Sequence, residues 1–412
     1  MEVLYPRCCG LDVHKKTVVA CVLITEAGKA IRKEIRTFPT MSADLLGLAD
    51  WLRECGCTHV AMESTGVYWR PIYNLLEDDF TLLVVNAQHI KAVPGRKTDV
   101  ADSEWIADLL RHGLLRASFI PPRPQRELRD LTRYRTSLRY ERVAEVNRLQ
   151  KILEGANIKL ASVVSDITGK SGHAILLALV AGTTDAAALA HLAYGTLRGK
   201  IPQLERALAG QFSAHQRFLV AHQLAHIDAL DQLMDQLSAE ITARLAPAAV
   251  EVTLLQTLPG VGQRTAEVIV AEIGTDMTRF PSAGHLASWV GLCPGNQESA
   301  GKHQSGRTRK GSPWLRSALV EAAQSAGRMK RQPTYLAAQY RRLAARRGAK
   351  RAAVAAAHSL VVMIYHMLSR HEPYHDLGGG FFEEREPHER ERRLARHLES
   401  LGYTVTPPAA VA

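Results

Sequence analysis

Between Cys8 and Val85 the apolar positions follow two alternating rhythms. CCGLDV and TVVACVLI are short β-rich runs, and AIRKEIRTF follows a Glu26-Ala27-Gly28-Lys29 turn, which predicts three sequential antiparallel strands. A helical spacing over Ala43–Arg53 comes next, then a strand at His59–Met62, a helix at Tyr68–Leu76 and a strand at Leu82–Val85. A last helix, capped by Thr98 or Asp99, is expected to run to about His112. Three meander strands followed by α/β alternation is the order of a ribonuclease-H-like domain, expected over residues 1–120.

After the break Pro121-Pro122-Arg123-Pro124 the pattern turns helical. Arg126, Arg129 and Arg133 share a helix face at i, i+3 and i+7 and are expected to bind nucleic acid. A second long helix is expected from about Gln203 to Leu245. Val220, Ile227, Met234 and Ile241 recur every seven residues there, with Leu230 and Leu237 between them, which is a coiled-coil seam. Such a seam pairs either within the chain or between subunits, so 121–250 reads as a helical linker and oligomerisation region. A further domain, 251–377, starts near Glu251. Its LPGVG string (258–262), flanked by helices at Glu251–Thr257 and Thr265–Glu272, suits a helix-hairpin-helix turn gripping phosphate, or equally a plain tight turn. Residues 293–312 read as a polar, small-residue loop, and helices continue to about Ser369. Beyond Gly378-Gly379-Gly380 the tail, 378–412, mixes glutamate with arginine and is expected to be a solvated helix or disordered.

Charge changes the picture. Among 412 residues, 52 Lys and Arg against 41 Asp and Glu leave a net +11, which favours a polyanionic partner. The excess is concentrated: Arg328 to Arg351 holds nine basic residues and no acidic one, with Tyr335 and Tyr340 interleaved. Arg341, Arg342, Arg346 and Arg347 of that stretch are assigned to nucleic-acid backbone. The six cysteines form no CxxC pair and read as small buried hydrophobes in a reducing, cytoplasmic compartment. The start of the chain lacks a signal-peptide layout, and the apolar stretch Ala352–Ser369 reads as a buried helix rather than a membrane span. GKSG at 169–172 does not complete a phosphate-binding loop, because the required glycine is Val164.

Four carboxylates carry the chemistry. Asp12 ends the first strand, Glu63 ends another, and Asp99 and Asp102 lie three apart at a helix start. Singly, each reads as a turn, helix-start or cap residue. Together they fall on the first strand, the fourth strand and the last helix, where a ribonuclease-H-like domain places metal ligands. Clustered carboxylates need a cation, and Mg2+ fits phosphate chemistry, with Mn2+ as the alternative ion. Lys91, Arg96 and Lys97 precede Asp99 and could hold a phosphate beside it. Farther on, Ser299 and Ser305 lie among Lys302, Arg307, Arg309 and Lys310, a setting for a serine nucleophile or, on spacing alone, a basic loop binding nucleic acid.

With these residues in hand, the chain resembles the DEDD transposases of insertion-sequence family one-ten, over nearly its whole length to about Leu377. GLDVHKKT, AMESTGVYW, PGRKTDVADSEWIADLLRHGLL, LPGVG, FPSAGHLASWVGLCPGNQESAGK and RTRKGSPWLR carry the resemblance in that order. It implies an α/β RuvC-like N-terminal domain whose metal ligands are Asp12, Glu63, Asp99 and Asp102, then a coiled-coil linker and a mostly α transposase domain. ESAGK matches the family's serine motif, which selects Ser299 over Ser305 as the group attacking a DNA phosphodiester. The resemblance further implies an element-encoded guide RNA, double-stranded DNA at element ends and target as substrate, and a homodimer or homotetramer with composite sites. Such a protein would work in the prokaryotic cytoplasm at the nucleoid. A Holliday-junction resolvase-like nuclease and a catalytically inactive nucleic-acid-binding protein are the competing readings.

Overall fold

The computed structural model describes residues 2–26, 28–64, 66–86, 102–295, 297–299, 302–329, 334–382, 395–396 and 398–405, with backbone alone for 297–299 and 302–305. The chain forms two compact units, Met1–Pro122 and Arg123–Ala412.

The first unit is α/β. Its elements are β1 (Arg7–Val13), β2 (Thr17–Ile24), β3 (Arg32–Pro39), α1 (Ser42–Glu54), β4 (His59–Glu63), α2 (Trp69–Leu76), β5 (Thr81–Val85) and α3 (Asp102–Arg111). The five strands lie in the order β3-β2-β1-β4-β5; β2 runs antiparallel to β1 and β3, while β4 and β5 run parallel to β1. The strand period of two sorts side chains between two layers. Cys9, Leu11 and Val13 of β1 join Val60 and Met62 in a core with Leu45, Leu48 and Leu52 of α1. Cys8 of β1 and Ala61 of β4 face the opposite way, against Ile106, Ala107 and Leu110 of α3. Between them Gly10 admits the α3 backbone: a Cβ at Gly10 would stand 2.2 Å from the Ser103 carbonyl oxygen. The expected helix to His112 is thus present from Asp102, and its anticipated caps, Thr98 and Asp99, lie outside the described residues.

The second unit is mostly helical. α4 (Arg123–Gly155) is followed by α5 (Leu160–Val163), α6 (Lys170–Val180), α7 (Ala186–Ala190), α8 (Ile201–Leu208) and α9 (Ala214–Arg244). The single helix expected over 203–245 is in fact two. Gly210 packs so closely on the 156–157 turn that a Cβ there would meet the Ala156 carbonyl oxygen at 2.4 Å, and Ser213 with Gln216 builds a capping box that starts α9 afresh. The heptad residues Val220, Ile227, Met234 and Ile241 are buried inside the unit. α9 runs antiparallel to α4: Arg244 reaches Glu127 at 2.8 Å near one end, and Arg142 grips both Asp231 oxygens at 2.6 and 2.9 Å further along. The seam therefore pairs within the chain.

α10 (Ala249–Leu255), α11 (Gln263–Ile273), α12 (Ala283–Val290), α13 (Pro313–Arg328), α14 (Tyr335–Arg347) and α15 (Ala349–Arg370) complete the unit. Their core takes in Leu128 of α4 and Ile241 of α9, so packing continues across residue 250. α15 is long and apolar enough to cross a membrane by length and composition, yet Ala356, Leu360 and Ile364 lie in this core. Residues 293–312, expected as a loop, include a hairpin of β6 (Gln297–Ser299) and β7 (Lys302–Ser305). Its base is closed by a Pro294–Thr308 bridge and a Gly295 N–H donating to the Arg307 carbonyl at 3.0 Å. The start of the tail is packed rather than solvated: the Phe381 and Phe382 rings lie 5.2 and 5.1 Å from Tyr335.

Candidate active site and nucleic-acid interface

The acidic site is built by strand register. β1 and β4 are parallel, with Leu11 opposite Met62, so one residue further on Asp12 and Glu63 stand side by side at the carboxyl ends of their strands. Adjacent strands are about 4.8 Å apart. By the period of two, Asp12 shares the face of Cys8 and Gly10, and Glu63 that of Ala61, which is the face α3 covers. Asp102 is the first residue of α3, and the carbonyl of its neighbour Ser103 is the group that abuts Gly10. The close approach at Gly10 thus brings the start of α3 to the strand bearing Asp12. The partial positive charge of a helix start also favours a carboxylate there. Asp99 and Lys97, together with Lys91 and Arg96, lie outside the described residues.

Asp12 is partly open, with 27% of its side chain exposed, and His14 Nε2 lies 3.1 Å from its Oδ2. Sequence reading passed over this histidine. The signal was the i, i+2 spacing, which keeps His14, the residue that follows β1, on the side of Asp12 if the extended backbone continues. Among the described residues, no three His, Cys, Asp or Glu side chains close into a metal cage. A hard divalent cation does not require one. Mg2+ keeps several waters and is held through one or two carboxylates and the substrate's phosphates, so the all-oxygen donors of this face fit it.

Ser299 is the last residue of β6 and pairs across the hairpin with Lys302, the first residue of β7. Its side chain, like those of Lys302 and Ser305, lies outside what is described. The stem of the hairpin is tied to α13 by hydrogen bonds. Arg316 of α13 donates to the Gly291 carbonyl at 3.0 Å and to Thr308 Oγ1 at 2.9 Å. Gly291 has φ 78° and ends α12, where the 309–311 backbone crosses so closely that a Cβ would stand 2.8 Å from the Arg309 carbonyl.

Residues 9–158 match the family model for DEDD transposases of the IS110 type, described as "Transposase". Residues 252–340 match "Transposase IS116/IS110/IS902 family", and the two matches together span more than half the chain. The chain belongs to the IS110 family of DEDD transposases. It is similar to "Transposase for insertion sequence element IS1111A" of Coxiella burnetii, 26% identical over 371 residues that cover 89% of this chain and 90% of the relative. It is also similar to "Probable family 20 transposase" of Pseudomonas aeruginosa, 24% identical over 330 residues that cover 79% and 88% of the two chains. An "Insertion element IS110 uncharacterized 43.6 kDa protein" of Streptomyces coelicolor matches a shorter stretch, 41% identical over 71 residues and 17% of each chain.

As an IS110-family transposase the chain acts on DNA, and its basic residues divide into two groups. Arg129 and Arg133 turn inward, toward Glu272, whose side chain is fully buried. Arg133 grips both Glu272 oxygens at 2.7 and 3.0 Å, Arg129 donates to the Glu272 carbonyl, and Ser312, the cap of α13, donates to Oε2 at 3.2 Å. Burial pulls the Arg129 guanidinium down to about 10. These two arginines brace the transposase from within. Arg126 on the same face is half-buried.

The second group faces solvent. Arg307, Arg309 and Lys310 are exposed at the foot of the hairpin, and Arg341, Arg346 and Arg347 along α14. Arg341 donates to the Met329 carbonyl at 2.5 Å, and the Arg342 guanidinium lies 5.3 Å from the Phe382 ring. Lys350 and Arg351, exposed at the start of α15, extend the patch of Arg346 and Arg347 across Gly348. In LPGVG the two glycines part ways. Gly260 (φ 83°) is pressed on α13, where a Cβ would meet the Ala322 carbonyl at 2.2 Å, whereas Gly262 is open and precedes α11.

Proposed function

We propose that this transposase cuts and rejoins DNA by transesterification through Ser299, with Asp12, Glu63, Asp99 and Asp102 as the acidic ligands of a RuvC-like domain. The observation that carries the reading is the face on which Asp12 and Glu63 stand level at the strand ends beneath the start of α3. The strand order β3-β2-β1-β4-β5 supports the ribonuclease-H-like assignment. A divalent cation bound there, Mg2+ or Mn2+, would supply positive charge to the scissile phosphate. Ser299 Oγ forms a bond to phosphorus as a deoxyribose oxygen leaves; the serine proton is lost and the leaving oxygen gains one. Rejoining reverses the exchange, when a strand hydroxyl attacks the phosphoserine and releases Ser299. One phosphoester bond replaces another at each step, so no ATP is consumed.

Guide RNA would deliver sequence specificity, with the exposed cations of the hairpin foot and of α14 holding nucleic-acid backbone. LPGVG would act as a helix-hairpin-helix contact only through the open side at Gly262. A homodimer or homotetramer would form through surfaces other than the heptad seam, which α4 and α9 bury between them.

Covalent trapping tests the reading. Purified protein, Mg2+ and labelled DNA spanning the joined element ends are mixed with and without the element's RNA and run on a denaturing gel. Label migrating with wild-type protein, lost in Ser299→Ala and in Asp12→Asn, is the expected result, and dependence on RNA would establish guidance. Cut DNA without protein-linked label would make water the nucleophile, as in a junction resolvase. No product of either kind would leave binding alone.

A further inference from the structure

A cleft of about 330 Å³ opens in the second unit among α4, α9, α11 and α13, and the chemistry above makes no use of it. Met234 and Val268 give it an apolar lining, and two aromatic side chains, Tyr140 and Trp314, stand in its walls. Guanidiniums sit at the rim. Arg139 is engaged, 2.9 Å from Glu321 and 4.9 Å from the Tyr140 ring. Arg264 differs: it is exposed at the second residue of α11 and forms no ion pair among the described residues.

Aromatic walls around an apolar slot, with an unengaged cation at the mouth, complement a nucleobase and its phosphate. The chain's net charge of +11 suits the same partner. A duplex cannot enter, because its bases are stacked and paired, so the occupant must be unpaired. We propose that this cleft holds one unpaired nucleotide of a nucleic-acid strand, its base against Tyr140 and Trp314 and its phosphate on Arg264. The inference rests on the nucleic-acid reading above and adds the place where an unstacked base is kept during strand exchange.

The test is fluorescence anisotropy with the full chain and labelled single strands, deoxyribose or ribose, each either intact or carrying consecutive abasic sites. Intact strands should bind wild type on the order of 10-fold tighter than abasic ones. Tyr140→Ala should erase that ratio, and Arg264→Ala should lower the slope of log affinity against log salt by about one. Both side chains are solvent-exposed, so the variants should melt as wild type does. A wild-type ratio near one, or a ratio unchanged in Tyr140→Ala, overturns the proposal. The sugar that shows the ratio identifies the source strand. Covalent product without any base preference would sink the cleft alone, and base preference without covalent product would sink the serine reading alone.

Discussion

Replacing Gly10 by alanine would drive a methyl group into the backbone of α3. The added carbon would lie 2.2 Å from the Ser103 carbonyl oxygen and 2.4 Å from the Ala107 nitrogen. Neither atom can rotate away, because both belong to a hydrogen-bonded helix. Restoring ordinary van der Waals separation requires α3 to retreat by roughly 1 Å. Overpacking of that kind costs about 1–3 kcal/mol. The first unit should then melt lower by roughly 5–15 °C. Asp102 moves with α3 while Asp12 and Glu63 stay on their strands, and a misplacement of about 1 Å can slow a positioned reaction on the order of 100-fold. The assay is a thermal melt followed by the strand-cleavage rate at a temperature where wild type and variant are both folded. Gly47→Ala serves as the control: it lies in α1 with open space around it and should stabilise by about 0.5–1 kcal/mol without altering cleavage. A Gly10→Ala protein that melts and cuts like wild type would refute both the packing argument and the placement of the acidic face.

Two further outcomes follow from the ion pairs and the exposed cations. Glu272→Ala strands the Arg133 guanidinium and removes the acceptor for Ser312, while Arg129 keeps its backbone acceptors, so urea denaturation should show a loss of about 3 kcal/mol, whereas Glu240→Ala, in an exposed pair with Arg244, should leave the unfolding midpoint unchanged. Arg346→Ala with Arg347→Ala should weaken DNA binding regardless of sequence and lower the slope of log affinity against log salt by about two, read by anisotropy across a salt series; an unchanged slope would remove α14 from the interface.

Much of the first unit was legible in the sequence because each strand announces itself locally. CCGLDV and TVVACVLI read as strands, and β1 and β2 are where they should be. Asp12 and Glu63 were recognisable as strand-end carboxylates for the same reason. That they stand level was not readable, since register between β1 and β4 depends on residues about fifty positions apart. The hairpin of β6 and β7 was missed because its short polar strands carry no alternation of apolar residues. The break at Gly210 escaped notice because a helical period continues on both sides of it. The glycine is needed only because the 156–157 turn packs against it.

The sharpest division concerns Arg129 and Arg133. Their shared helix face follows from a spacing of four along a helix of 3.6 residues per turn, and sequence alone determined it. Whether that face meets DNA or a buried carboxylate is decided by α11, which brings Glu272 to them from far along the chain. The heptad seam divides in the same way: its period is written in α9, but its partner is α4 of the same chain. Period, caps and charge are short-range properties of the backbone and its side chains, so the sequence by itself determined most of the elements and their faces, the β6–β7 hairpin and the break at Gly210 excepted. Which faces meet is a matter of long-range packing, and only the tertiary structure decided that Gly10 would seat α3 beside the acids and that Glu272 would claim two arginines.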